Sequence, residues 1–189
     1  MKRFVLAITG ASGALYAQRL IDLIHKEGHE LHVVCSPYAL QVGQEELGGF
    51  RFPENIKKHN DRSMQAPFAS GSTLFDAMII APCTMGTIGR IAHGYADSLI
   101  TRAADVFLKE RRRLILVPRE TPWNLVQARN IVTLLEAGAD VIPAMPSFYG
   151  HPKTIEELVD TVVARILDHL GIENDVARRW RDCRSTSED

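Results

Sequence analysis

Three cysteines, Cys35, Cys83 and Cys183, are too few and too scattered for a disulfide framework or a structural zinc site. That scarcity points to a reducing cytoplasm. The seven histidines, His25, His29, His32, His59, His93, His151 and His169, match no metal-ligand spacing, and Gly28 breaks the helix that would align His25 with His29. No metal is expected. No apolar run approaches ~18 residues, so no segment is expected to span a membrane. The start, Met1-Lys-Arg-Phe-Val-Leu-Ala-Ile, turns polar at Thr9-Gly10, too soon for a secretory core. Neither sign of charge dominates: 22 Lys+Arg stand against 23 Asp+Glu, which argues against a nucleic-acid surface. There is no internal repeat and no low-complexity stretch. Cys83, after Pro82 at a strand end, is open to a nucleophilic role. No histidine is fixed beside it in sequence, so the small buried hydrophobe is the preferred reading.

What is present is an alternation of short apolar strands and amphipathic helices. Strands are expected at Phe4–Thr9, Leu31–Cys35, Ala77–Ala81, Leu114–Val117 and Val141–Ile142. Helices are expected at Ala14–Lys26, Tyr38–Leu47, Ala96–Glu110, Asn124–Ala137 and Thr154–Leu170, the last begun by a capping box of Thr154 with Glu157. Residues 48–71 read as a long surface excursion with at most one short helix. Apolar strands separated by helices imply a mostly parallel sheet covered on both faces, a three-layer α/β/α sandwich of the Rossmann or flavodoxin-like kind. The 189 residues read as a single domain, with a charged tail from about residue 173 that frays except at Trp180.

Polar residues at the carboxyl ends of such strands lie where open α/β sheets bind ligands. Arg119 and Glu120 come after the fourth strand, and Arg102 and Lys109 precede it on a helix; the four are expected to converge on one anion. The first strand runs into Gly10-Ala-Ser-Gly13, a phosphate-type turn. It lacks the middle glycine of G-x-G-x-x-G, and Cys35-Ser36 stands where a ribose-gripping acid would be. A mononucleotide therefore suits it better than a dinucleotide, with Ser12 and Ser36 as donors; a tight turn with no ligand is the alternative. Thr84 and Thr87 are hydroxyl donors at a helix amino terminus, suited to phosphate or to simple capping. Arg111-Arg112-Arg113 reads as a solvated loop.

Several segments together, in fixed order, carry a resemblance. These are Gly10-Ala-Ser-Gly-Ala14, Ser70-Gly-Ser72, Pro82-Cys83 with Thr84-x-x-Thr87, Thr101-Arg-Ala-Ala-Asp-Val106, Leu108-Lys-Glu-Arg-Arg112, Leu116-Val-Pro-Arg-Glu-Thr-Pro122 and Pro146-x-Phe-Tyr149. From residue 3 to about Trp180 the chain resembles the UbiX family of flavin prenyltransferases, formerly labelled aromatic acid decarboxylases. The resemblance implies transfer of a dimethylallyl group from dimethylallyl phosphate to N5 and C6 of reduced FMN. The product, prenylated FMN, would serve UbiD-type decarboxylases. FMN would be held by Gly10, Ala11, Ser12, Ser36, Thr84, Thr87 and Arg119. The prenyl phosphate would be gripped by Lys109, Tyr149 and Arg165, with Arg102, Ser70 and Gly71 nearby. Glu120 and Glu46 would handle protons, with Ser12 beside them. Family members form dodecamers with flavin sites at subunit contacts. Some place a Trp at the wall of the prenyl pocket, where Met64 is the nearest counterpart here.

Two other readings share the flavin. One is an FMN-dependent cysteine decarboxylase, whose relatives carry Pro-Ala-Ser-Ala-Asn-Thr where this chain has Pro82-Cys-Thr-Met-Gly-Thr87. The other is a non-catalytic subunit that delivers flavin, which only turnover separates from the enzyme.

Overall fold

Alternate side chains of a strand face opposite sides, so a strand apolar throughout must be covered twice. The first strand, β1 (Arg3–Ile8), shows this: Phe4, Leu6 and Ile8 enter one core while Val5 and Ala7 enter the other. The computed structural model describes residues 1–180. After β1 come α1 (Ala14–Lys26), β2 (Glu30–Cys35), α2 (Pro37–Leu47), β3 (Lys57–Asn60), β4 (Ala77–Cys83), α3 (Met85–Ala92), α4 (Leu99–Lys109), β5 (Arg113–Pro118), α5 (Leu125–Glu136), β6 (Asp140–Val141) and α6 (Ile155–Leu170). The strands form one sheet in the order β3-β2-β1-β4-β5-β6, and every pairing is parallel. Without β3 this is the flavodoxin-like order, with its reversal between β1 and β4.

One core packs α1 and α6 on the sheet through Leu20, Ile24, Val163 and Ile166. The other packs α3, α4 and α5 through Ile88, Ala103, Phe107 and Ile131. Truncating a fully buried aromatic such as Phe107 to Ala would cost about 3–5 kcal/mol. Across the first layer, Arg19 of α1 donates two hydrogen bonds of 2.8 and 2.7 Å to Asp160 of α6. Asp160 is buried, so its charge needs that partner.

Four expectations change. The excursion at 48–71 contains β3 and a 3-10 turn at Pro67–Ala69. β3, Lys57-Lys-His-Asn60, carries no apolar alternation because it is an edge strand, and its lysines face solvent as edge strands require. The helix expected from Ala96 starts at Leu99, where Ser98 and Thr101 cap reciprocally. At α6, Thr154 accepts from the Glu157 amide, but the Glu157 carboxylate takes the Lys153 amide at 2.6 Å, so the box is displaced by one residue. The tail does not fray at 173. Ile172 is buried, Arg179 forks onto Asp168 with two bonds of 2.9 Å, and Trp180 packs edge-on against Tyr149. The last stretch of the tail and Cys183 lie outside the described residues. Among the described residues no helix is long and apolar enough to cross a membrane.

β3 is tied to β2 by a polar chain centred on the buried His32. His32 is 2.9 Å from His59 through Nδ1 and 2.9 Å from Glu30 through Nε2, and Lys57 also donates to Glu30. Phe68 and Phe75 close over His32 edge-on. Burial holds both imidazoles below the ordinary histidine range, while Lys57 and His32 hold the Glu30 carboxyl down at about 2. Folding thus favours neutral histidines. Their contribution is complete above the unfolded histidine value of about 6.5 and is lost as pH falls through the lowered folded values. Thermal unfolding midpoints should therefore decline as pH drops from 7 to 5, and His59→Gln should flatten that decline. A midpoint equally pH-sensitive in the variant would refute the assignment.

Candidate active site

Because all strands are parallel, β1, β2, β4 and β5 deliver the residues at their carboxyl ends to one edge: Gly10-Ala-Ser12, Ser36, Thr84-x-x-Thr87 and Arg119-Glu120. At the β1–β4 reversal lies a cleft of about 310 Å³ whose lining includes Gly10, Ser36, Tyr38, Thr84, Thr87 and Arg90. Thr9 holds its floor. The buried Thr9 hydroxyl donates to the Pro82 carbonyl at 2.8 Å and accepts from the Thr84 amide at 2.8 Å, bridging the two strand ends. Nothing in sequence singled out Thr9, Arg90 or Asp61 for this cleft; a polar residue closing an apolar strand was the only signal for Thr9.

Ser36 and Thr84 both cap helices, and both still face the cleft. Ser36 accepts from the Ala39 amide at 3.1 Å, and Thr84 accepts from the Thr87 amide at 3.1 Å and sits 2.9 Å from the Thr87 hydroxyl. Among the described residues the Met85 and Gly86 amides keep no protein acceptor, which leaves the α3 terminus open to an anion. The glycines of the first turn have a packing reason. A Cβ on Gly10 would lie 2.4 Å from Tyr38 Cβ, and Gly13 has φ of 108°.

The α1 terminus is not the open phosphate cradle its turn suggests. Its Gly13 and Ala14 amides are taken by the Glu46 carboxylate at 2.9 and 2.7 Å. Partial burial opposes ionisation of Glu46, yet bonds from Ser12, Ala14 and Gly13 with the charge of Arg119 hold its carboxyl below the usual range. Glu46, Ser12 and Arg119 therefore form one group beyond the glycine turn. Tyr16 lies within the field of Arg119 as well, although burial raises its phenol overall. Among the described residues the Glu120 carboxylate accepts from the Thr121 amide at 3.0 Å and forms no ion pair.

The four charges expected to converge do not meet in one chain. Lys109 ends α4 before β5 begins, while Arg119 lies past the end of β5, a separation of roughly 20 Å along six residues. Lys109 pairs with Glu110 at 2.5 Å, and the Glu110 side chain covers Gly71. Arg102 donates to the Ala69 carbonyl at 3.2 Å, beside Ser70. Arg102, Lys109, Ser70 and Gly71 thus share the α4 side of the sheet. Tyr149 and Arg165 share a cleft of about 200 Å³ along α6, on the opposite side. Met64 is exposed in the loop after β3. Cys83 is fully buried, and burial pushes its thiol far up; Cys35 is pushed up to about 11. A cavity of about 510 Å³ lies at the amino end of the sheet, and two of its lining cations are engaged by carbonyls: Lys2 by Leu170 and Gly171, Arg112 by Gly71 and Thr73.

A family model described as Flavoprotein matches residues 1–167. The chain is 46% identical over 181 residues to the flavin prenyltransferase UbiX of Thermoplasma acidophilum, covering 94% of this chain and 99% of that one. A crystal structure of AnUbiX (PadA1) in complex with FMN and dimethylallyl pyrophosphate superposes with a TM-score of 0.89 at 39% identity, over 95% of this chain and 97% of that one. A dodecameric FMN-dependent UbiX-like decarboxylase from Escherichia coli O157:H7 gives 0.88 at 38% identity, over 94% and 98%.

Cys83 is buried and Cys35 half-buried, and desolvation raises both thiols, which has a direct consequence. A Cys183→Ser variant should show no fast-reacting thiol toward a disulfide reagent at pH 8 and two once unfolded. Rapid labelling of Cys83 in the folded protein would restore it as a nucleophile.

Proposed function

The chain belongs to the UbiX-type flavin prenyltransferase family, and from that premise we propose that it joins a dimethylallyl group to reduced FMN. The observation that carries the proposal is the gathering of Gly10, Ala11, Ser12, Ser36, Thr84, Thr87 and Arg119 along one carboxyl edge. There, hydroxyls and the free amides of α3 stand at one end and a guanidinium beside a carboxylate at the other. These residues fit a flavin mononucleotide as substrate: a phosphate for the hydroxyl and amide end, and a ring with exchangeable protons for the Arg119–Glu46 end.

In the reaction the prenyl C1–oxygen bond breaks, its electron pair leaves on the phosphate, and C1 bonds to flavin N5, which releases a proton. Closure of the other allyl end on C6 takes up a proton at the alkene and releases one from C6. Glu46 is held ionised by its donors, so near neutral pH it carries no proton of its own and can relay one without retaining it; Ser12 orients it. Glu120, exposed and free of ion pairs among the described residues, supplies the second exchangeable carboxyl. Charge developing on the departing phosphate is met by Lys109, Tyr149 and Arg165, with Arg102, Ser70 and Gly71 beside them.

Those phosphate-binding residues lie on opposite layers of one chain, with the sheet between them. The reading therefore requires neighbouring copies to complete each site, and a homo-dodecamer is the assembly we propose. Dimethylallyl monophosphate is the proposed donor, a UbiD-type decarboxylase the recipient of the product, and the cytoplasm the compartment. The 189 residues act as one flavoprotein domain.

Anaerobic incubation with reduced FMN and dimethylallyl phosphate, followed by mass spectrometry of the flavin, should show a gain of one five-carbon prenyl unit. Bleaching of oxidised FMN by a cysteinyl substrate, with no prenyl uptake, would instead support decarboxylation. Lys109→Ala, Tyr149→Phe and Arg165→Ala should each slow prenyl transfer roughly ten- to a hundredfold while FMN stays bound, as loss of a charge-assisted contact does. Mixing Lys109→Ala with Arg165→Ala protein should recover part of the activity through mixed assemblies. Failure of every mixture to recover any would argue against a shared site.

A further inference from the structure

Arg119 lies at the Glu46 end of the edge, so a phosphate in the β1–β4 cleft must find its cation elsewhere. Among the described residues that line the cleft, Arg90 is the sole cation; the other charged groups are Asp61 and Asp97. Asp61 is committed, since its carboxylate accepts from the Ile100 amide at 3.0 Å and its carbonyl from Leu99 at 2.8 Å. Asp97 accepts from the Thr101 hydroxyl at 3.3 Å and faces Arg90 Nε at 3.4 Å.

Helix geometry explains the position of Arg90. Helical side chains lean toward the amino terminus, so a long residue near the end of α3 covers the turn before it. Four residues back stands Gly86, which has no side chain in the way: Arg90 Nη1 reaches within 3.4 Å of the Gly86 carbonyl, and a Cβ on Gly86 would lie 3.6 Å from that nitrogen. The guanidinium is thereby carried back beside the turn where Thr84 and Thr87 stand and where the Gly86 amide is free. Its pair with Asp97 is a single contact with both side chains more than half exposed, 53% and 60%, and such pairs are weak. A phosphate monoester carries nearly two negative charges near neutral pH and accepts the fork of an arginine through two oxygens. It outcompetes one carboxylate.

Resting on the flavin reading above, we infer that Arg90 selects the phosphate of the flavin, held at the cleft mouth by Asp97 until a phosphate monoester draws it inward. The residue then decides between FMN and the unphosphorylated flavin, a choice that the hydroxyls of Ser36, Thr84 and Thr87 make only weakly because they carry no charge.

The test is fluorescence titration of flavin-free protein with FMN and, separately, with riboflavin. Arg90→Ala should weaken FMN roughly tenfold and leave riboflavin unchanged. Asp97→Asn keeps the oxygen that receives Thr101 and removes the competing charge, so it should tighten FMN several-fold with riboflavin again unchanged. The FMN affinity of Arg90→Ala should also fall less steeply with salt than that of the unaltered protein. Equal FMN affinity in Arg90→Ala, or an equal loss for both flavins, would overturn the inference and leave the flavin reading standing. An Asp97→Asn variant no tighter for FMN would overturn the restraining role of Asp97. Unaltered protein that binds neither flavin would overturn the reading on which the inference rests.

Discussion

The join between β1 and β4 is the constraint on which the rest depends. Chain order reverses there, so the connections leaving the two strands diverge and open a crevice that no helix fills. A crevice between strand ends exposes backbone groups that the ladder no longer pairs. Thr9 satisfies them: its hydroxyl takes the Thr84 amide and gives to the Pro82 carbonyl, while its amide gives to the same carbonyl at 3.2 Å. Thr84 is thereby placed to cap α3, and α3 in turn presents Thr87, Gly86 and Arg90. A change at Thr9 would disturb the site by releasing the Thr84 amide and the Pro82 carbonyl.

Helix termini near this edge divide their work. The α1 terminus is already neutralised by Glu46, a carboxylate from the end of α2. This gives Glu46 a low affinity for protons and ties the glycine turn to α2, against which Gly10 packs too closely for any side chain. The α3 terminus keeps two amides free of protein acceptors among the described residues. An anion therefore has one helix end to occupy, and the Glu46 carboxylate holds the other. Placing these two termini at the ends of adjoining strands, β1 and β4, suits a ligand with a charged end and a reactive ring.

Charge placement also bears on assembly. Arg102 and Lys109 ride on α4, Tyr149 and Arg165 on or beside α6, and a six-stranded sheet stands between. No rotamer change brings them together, because a parallel sheet covered on both faces is also a wall. Apolar side chains exposed on α5, Leu125, Val126, Val132 and Leu135, lie on the α4 side.

Much of the fold was legible in local pattern. The limits of α1 are set by its apolar spacing and by Gly28, and the buried strands by runs such as Leu114–Val117. β3 was not legible, since an edge strand of Lys57-Lys-His-Asn60 is held by His32 from its neighbour rather than by its own pattern. The anchored residues up to Trp180 were hidden for a related reason: they rest on Asp168 and Tyr149, partners brought to them by tertiary packing. For the site, the strand-end positions of Ser36, Thr84 and Arg119 could be placed from sequence, because parallel strands must send their carboxyl ends to one edge. Their division into two ends, the capture of the α1 terminus by Glu46, the isolation of Lys109 from Arg165 and the return of Arg90 over Gly86 could not. Sequence by itself determines which residues stand at the ends of which elements, since periodicity is local. Only the tertiary structure decides which of those ends face each other, because that depends on strand order and on which layer each helix covers.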